Sequence, residues 1–227
     1  MLCVPPGASA VAAFAHGSGS GRHSPRNQFV ARALQDAGLA TLLLDLLEPD
    51  EAEDRRKVFD IELLADRLRA ASGWLAHDPE TRHLQLGLFG ASTGAAAALV
   101  AAARDPGRVG AVVSRGGRPD LACAELPEVS APTLLIVGGR DEEVLELNRR
   151  ALALLWCERE LAIIPGATHL FPEPGALEHV ARLASRWFLQ HLGASPTADR
   201  GHSARVGAAD APELGERYPR SDMDPEC

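Results

Sequence analysis

The sequence predicts a three-layer α/β/α sandwich around a mostly parallel sheet of about six strands, and three observations predict it. Short, continuously apolar runs recur along the chain, stretches with helical apolar spacing alternate with them, and polar or glycine-rich loops follow the runs directly. Continuous apolar runs mark strands covered on both faces, and their alternation with helices marks parallel crossovers.

The first run, 11–15, follows a start, MLCVPPGAS, in which Pro5, Pro6 and Gly7 interrupt regular structure. Beyond a glycine-rich loop, Phe29, Val30, Ala33, Leu34 and Ala37 share one helical stripe. The second run, 39–44, leads to a charged segment, 48–57, read as a solvated connection into the helix of Ile61, Leu64, Ala65, Leu68 and Ala71. The third run, 84–89, precedes a helix over 95–103, whose small side chains permit close approach to a sheet. The fourth and fifth runs are 109–113 and 133–137, the latter followed by a helix carrying Val144, Leu147, Ala151, Leu154 and Leu155. The sixth, 161–164, precedes a helix carrying Leu177, Val180, Ala181, Ala184, Trp187 and Phe188. After Leu192 the composition turns to Ser, Pro, Ala, Gly and mixed charge, so the chain divides into one folded domain, 1–194, and a disordered tail, 195–227. A length of 227 residues suits one such domain and one site.

Composition excludes several classes of partner. With 46% hydrophobic and 24% charged residues the chain is ordinary for a globular protein. A net charge of −8 offers no footing for nucleic acid, whose binding depends on Lys and Arg neutralising phosphates. Cys3, Cys123, Cys157 and Cys227 lack paired spacing, which argues against a disulfide framework and for a reducing compartment. No basic, then apolar, leader is read at the N-terminus, and the alanine-rich run from Ala95 stops at Arg104, short of a membrane span. The expectation is a soluble, cytoplasmic protein without a membrane or nucleic-acid partner. Neither metal-ligand spacing nor a nucleotide loop of the GxxxxGK[ST] or GxGxxG kind occurs, so no metal and no cofactor are expected.

Ligands of open parallel sheets bind at the carboxyl ends of strands. There, Gly90-Ala91-Ser92-Thr93-Gly94 reads GxSxG between the third strand and the small-residue helix. A turn tight enough to lift the Ser92 hydroxyl above the sheet requires small residues on both sides, which Gly90 and Gly94 supply. The alternative role for Ser92 is a helix cap. A serine hydroxyl needs a base and a group to orient that base, and both follow at later strand ends: Asp141 after the fifth run and His169 after the sixth. Asp141 also sits where an acidic residue favours a helix start, and Asp120, after the fourth run, is a reserve acid. The loop His16-Gly17-Ser18-Gly19-Ser20-Gly21 follows the first strand, and an oxyanion hole is assigned to the N–H groups of Ser18 and Thr93. Arg22, His23 and Arg26 after the first strand, and Arg115 and Arg118 after the fourth, fall at the same edge. Arg22, His23 and Arg115 above all are candidates to bind a substrate carboxylate or phosphate, the alternative being surface salt bridges.

The segments HGSGSGRHSPRN, GLFGASTGAAAAL, VSRGGRPDLA, APTLLIVGGRD and PGATHLFPEPGALEHVA together resemble the dienelactone-hydrolase-like branch of the α/β-hydrolases. More narrowly, they are similar to the bacterial hydrolase domain often fused or adjacent to a phosphoribosyltransferase domain. The resemblance covers about residues 11–192 and implies a minimal α/β-hydrolase sheet, trimmed of its first strands and without a large lid. It departs from the dienelactone hydrolases proper in one respect: those use a cysteine nucleophile, and Ser92 stands in its place. No acidic pair before a TG-rich phosphate loop is present, so the transferase activity is not carried over. The expected function is hydrolysis of a small ester or lactone, neutral or anionic, through Ser92, His169 and Asp141. The rivals are a non-catalytic binding protein on the same fold and an acyltransferase with the same triad.

Overall fold

A computed structural model describes residues 1–193. The tail expected over 195–227 lies outside the described residues. Within them the three layers are present. The strands are β1 (Leu2–Cys3), β2 (Ala10–Ala15), β3 (Ala40–Leu43), β4 (Gln85–Ala91), β5 (Val109–Arg115), β6 (Thr133–Gly138) and β7 (Arg159–Ile164). The helices are α1 (Pro25–Asp36), α2 (Arg55–Val58), α3 (Ile61–Leu75), α4 (Thr93–Arg104), α5 (Glu142–Leu154) and α6 (Ala176–Leu192), with a 3₁₀ segment over Pro119–Glu128.

The seven strands form one sheet in the order β1-β3-β2-β4-β5-β6-β7, parallel throughout except β1. Six of them match the apolar runs. The seventh, β1, corrects the expected number: two residues paired antiparallel to β3, Leu2 with Leu42 and Cys3 with Thr41, are too short to show any periodicity. The Met1 amino group donates to Leu43 O at 2.6 Å and seals this edge.

Alternating side chains supply the two cores. Val11, Ala13, Ala15, Leu86 and Leu88 face α3 and α4, whereas Ala12, Phe14, Phe89 and Val113 face α1 and α6. Helix starts are capped in the sequence: Ser24 accepts from Asn27 N–H at 3.4 Å with Pro25 in the first turn, and Asp60 accepts from Leu63 N–H at 3.0 Å. All residues from 94 to 102 of α4 are buried, which suits a helix apolar on every side. No inserted domain separates β5 from β6; only the 3₁₀ segment lies between them. Among the described residues no helix is long and apolar enough to cross a membrane.

Residues 48–57 are largely exposed, as their charge suggests, but Glu51 within them is tied to α3. Arg67 of α3 reaches down to them, donating from Nη2 to Glu51 Oε1 at 2.9 Å, from Nη1 to Glu51 Oε2, and from Nη1 to Leu46 O at 2.9 Å. Lys57 Nζ joins the same carboxylate at 3.1 Å. Bonds from Arg67 first, then the Glu48 backbone and Lys57, hold the Glu51 carboxyl far below its ordinary 4.5, at about 2. A depressed carboxylate contributes its full stabilisation above its unfolded pKa and loses it as pH falls through the folded one. Wild-type thermal stability should therefore fall more steeply than that of Glu51→Gln between about pH 4.5 and 2, the two converging at the acid end. Parallel melting curves across that window would remove Glu51 from the account.

Candidate active site

The turn after β4 is as constrained as its sequence demands. Ser92 has φ 52 and ψ −122, a left-handed value rare for a non-glycine residue and costly without surrounding support. That support is backbone contact. A Cβ on Gly90 would lie 2.4 Å from Ala95 Cα, and one on Gly94 would lie 2.2 Å from Ala15 O and 2.5 Å from His16 O. Ser92 stands at the N-cap position of α4 yet makes no side-chain cap bond, so its hydroxyl is free of the structural alternative. Its N–H donates to Arg115 O at 3.3 Å, and its carbonyl accepts from Arg118 N–H at 3.1 Å, tying the turn to the end of β5.

Asp141 repeats the pattern. It stands at the N-cap position of α5 without capping it, and its Oδ2 instead accepts from His169 Nδ1–H at 2.7 Å. The two loops meet because β6 and β7 end side by side, Gly138 opposite Ile164. Arg140 N–H donates to Ala167 O at 2.9 Å, and a Cβ on Gly138 would lie 2.5 Å from that same oxygen. Buried Phe171, at φ 55, anchors the histidine loop from below. No hydrogen bond joins Ser92 Oγ to His169 among the described residues; the His169 ring lies beside Gly116, whose added Cβ would be 3.6 Å from Cε1, and the Ser92 N–H bonds the residue before that glycine. In unliganded sites such bonds are often long and close only around substrate. Asp120, the reserve acid, is held by Arg118 at 2.7 Å and does not face the imidazole.

The glycine-rich loop lies against the serine: a Cβ on Gly17 would come within 2.8 Å of Ser92 Cβ. The N–H groups of Ser18 and Thr93 donate to no protein acceptor among the described residues. Both residues line a cavity of about 120 Å³ whose apolar walls are Leu47, Ala52, Val58 and Leu64. The first residue of the loop, His16, has a role that its sequence position did not reveal. Its Nδ1–H donates to Gly17 O at 3.0 Å while Nε2 accepts from Leu46 N–H at 2.9 Å, which fixes a neutral tautomer and pins the loop to the end of β3. Asn148, fully buried on α5, donates to Gly117 O at 3.0 Å and holds the turn beyond β5; a polar residue on an apolar helical stripe was the available signal.

The basic residues separate into two groups. Arg22 is matched by Asp45 at 2.8 Å and bonds its neighbour His23 at 3.3 Å, both exposed, so the structure does not bring Arg22 and His23 together with Arg115. Arg115 is 7% exposed and makes no bond to an acidic group among the described residues. Burial, with the charge of Arg26 nearby, pushes its guanidinium down to about 10, still cationic at neutral pH.

A seven-stranded, nearly all-parallel sheet with a strained serine turn at its central strand and a carboxylate-backed histidine three strand ends away is the α/β-hydrolase architecture. The chain belongs to the dienelactone hydrolase family, whose model matches residues 27–191. The crystal structure of a dienelactone hydrolase from Anabaena variabilis is 59% identical, with a TM-score of 0.82, over 84% of this chain and 90% of that one. A Mycobacterium tuberculosis protein named "Putative phosphoribosyl transferase" is 61% identical over 191 residues, 84% of this chain. The match spans only 43% of that relative's length. Est1E from Butyrivibrio proteoclasticus shares the fold at 16% identity, with a TM-score of 0.72 over 84% of this chain and 92% of its own.

Proposed function

We propose that this chain is a serine hydrolase of small carboxylic esters or lactones. Ser92 Oγ attacks the carbonyl carbon, its proton passes to His169 Nε2, and the carbonyl electrons move to an oxyanion facing the Ser18 and Thr93 N–H groups. Collapse expels the alkoxide, which takes the proton from His169 and leaves Ser92 acylated. Water then attacks the acyl-enzyme with His169 as base, and the acid departs as Ser92 recovers its proton. The observation that carries this reading is the Asp141 carboxylate bonded to His169 instead of capping its own helix. The small cavity beside the oxyanion donors favours short acyl groups.

A fluorophosphonate probe tests the assignment, because only an activated serine reacts quickly. The expected product is one adduct, mapped by peptide mass to Ser92. A folded protein that stays unlabelled, or is labelled at another serine, refutes it. Asp141→Asn should keep the fold and lower kcat by about 10⁴, the size seen when an imidazole loses its carboxylate and settles in the wrong tautomer. A loss under tenfold in steady-state kinetics would deny Asp141 that role.

A further inference from the structure

Two arginines at the carboxyl edge of the sheet, Arg115 buried and Arg26 half-buried, have no carboxylate partner among the described residues. Five described arginines are not exposed, and three of these have a carboxylate: Arg67 with Glu51, Arg69 with Asp105 and Arg118 with Asp120. Arg26 and Arg115 have none. Arg115 ends β5, and its Nη1 is buried without a partner, as is Nε of Arg26 in the first turn of α1. The charges sense one another, since Arg26 helps to lower the pKa of Arg115 while no acidic group raises it. Buried cations are ordinarily paired, and two adjacent unpaired ones repel as well as lose hydration. The first turn of α1 adds its own positive end.

The backbone that carries Arg115 borders the reacting centre. The Arg115 carbonyl accepts the Ser92 N–H at 3.3 Å, and the next residue, Gly116, packs against the His169 ring. We propose that Arg115 and Arg26 hold a phosphate group carried by the substrate, beside the carbonyl that Ser92 attacks. The assignment rests on the serine-hydrolase reading for its chemistry but not for its binding. A phosphate monoester, close to doubly charged at neutral pH, matches two guanidinium charges, whereas a carboxylate leaves one unmatched. Forked guanidinium donors suit its tetrahedral oxygens. The phosphate is a handle only, and no bond to phosphorus changes.

Two measurements test this. Inorganic phosphate, titrated against the wild-type protein, should raise its thermal midpoint, with acetate at equal ionic strength giving no such rise. Arg26→Gln, at a half-buried position, should lose that rise; Arg115→Lys, which keeps the charge and removes the fork, should weaken it, and replaces Arg115→Gln should the latter fail to fold. In kinetics, an aryl ester whose acyl chain ends in phosphate should be preferred over its neutral counterpart. That ratio of kcat/KM should fall about 10- to 100-fold in Arg26→Gln, the effect of removing a charged hydrogen-bond partner. No phosphate-induced rise in the wild type, or an undiminished rise in Arg26→Gln, overturns the site. An equal rise with acetate overturns the doubly charged ligand, and a rise without any preference for the phosphorylated ester overturns its being substrate-borne. If neither ester is turned over while the phosphate effect depends on Arg26, the serine-hydrolase reading fails and the binding site stands.

Discussion

Ser92→Ala is expected to lower turnover of a small ester by about 10⁴- to 10⁶-fold, leaving the circular dichroism spectrum and thermal midpoint close to wild type. The size follows from the role proposed for the hydroxyl. Without it no acyl-enzyme forms, and what survives is water attacking a carbonyl that the Ser18 and Thr93 N–H groups still polarise. The removed atom is small and makes no cap bond to α4, so its loss costs the fold little. The strain at φ 52 passes to alanine nearly unchanged, which keeps the comparison clean. Activity within tenfold of wild type would place the chemistry elsewhere.

Gly94→Ala carries the largest expected effect on stability. The new methyl would lie 2.2 Å from Ala15 O and 2.5 Å from His16 O, backbone atoms of β2 and the loop after it, which cannot swing aside as a side-chain tip can. Either α4 moves off the sheet or β2 bends. A cost of about 3 kcal/mol or more is expected, lowering the thermal midpoint by roughly 6 to 12 °C for a domain of this size. Gly73→Ala is the matched control: it lies within α3 with nothing inside 4 Å of the added methyl, and should be neutral or stabilising by up to about 1 kcal/mol. A Gly94→Ala midpoint within 2 °C of wild type would mean that the close packing of this turn is not what shapes it.

How much of this was legible in the sequence depends on distance along the chain. Runs such as 84–89 and 133–137 announce buried parallel strands because both faces are covered, and the residues beyond them fall at one sheet edge by topology alone. The proximity of Asp141 and His169 follows from that rule. What the sequence conceals is pairing across loops. Nothing near His16 indicates that its ring would link Gly17 O to Leu46 N–H, thirty residues away. Nor does the charge of residues 48–57 show that Glu51 alone among them would be claimed by Arg67, since acidic and basic residues look the same on paper whether solvated or paired. Arg22 and Arg26 are equivalent in the sequence, and only Asp45 tells them apart by neutralising the first. The strand Leu2–Cys3 escapes notice for a simpler reason, that two residues carry no period.

The helix behind the serine turn is nearly all methyl groups, with Leu99 and Val100 its only larger buried side chains between 95 and 102. Such a rod has no soft volume to absorb an intruding carbon, so any enlargement along it is delivered to its tip as displacement of the reactive oxygen. Room to vary lies instead at the rim of the neighbouring cavity, where Leu47, Ala52 and Val58 stand clear of the helix.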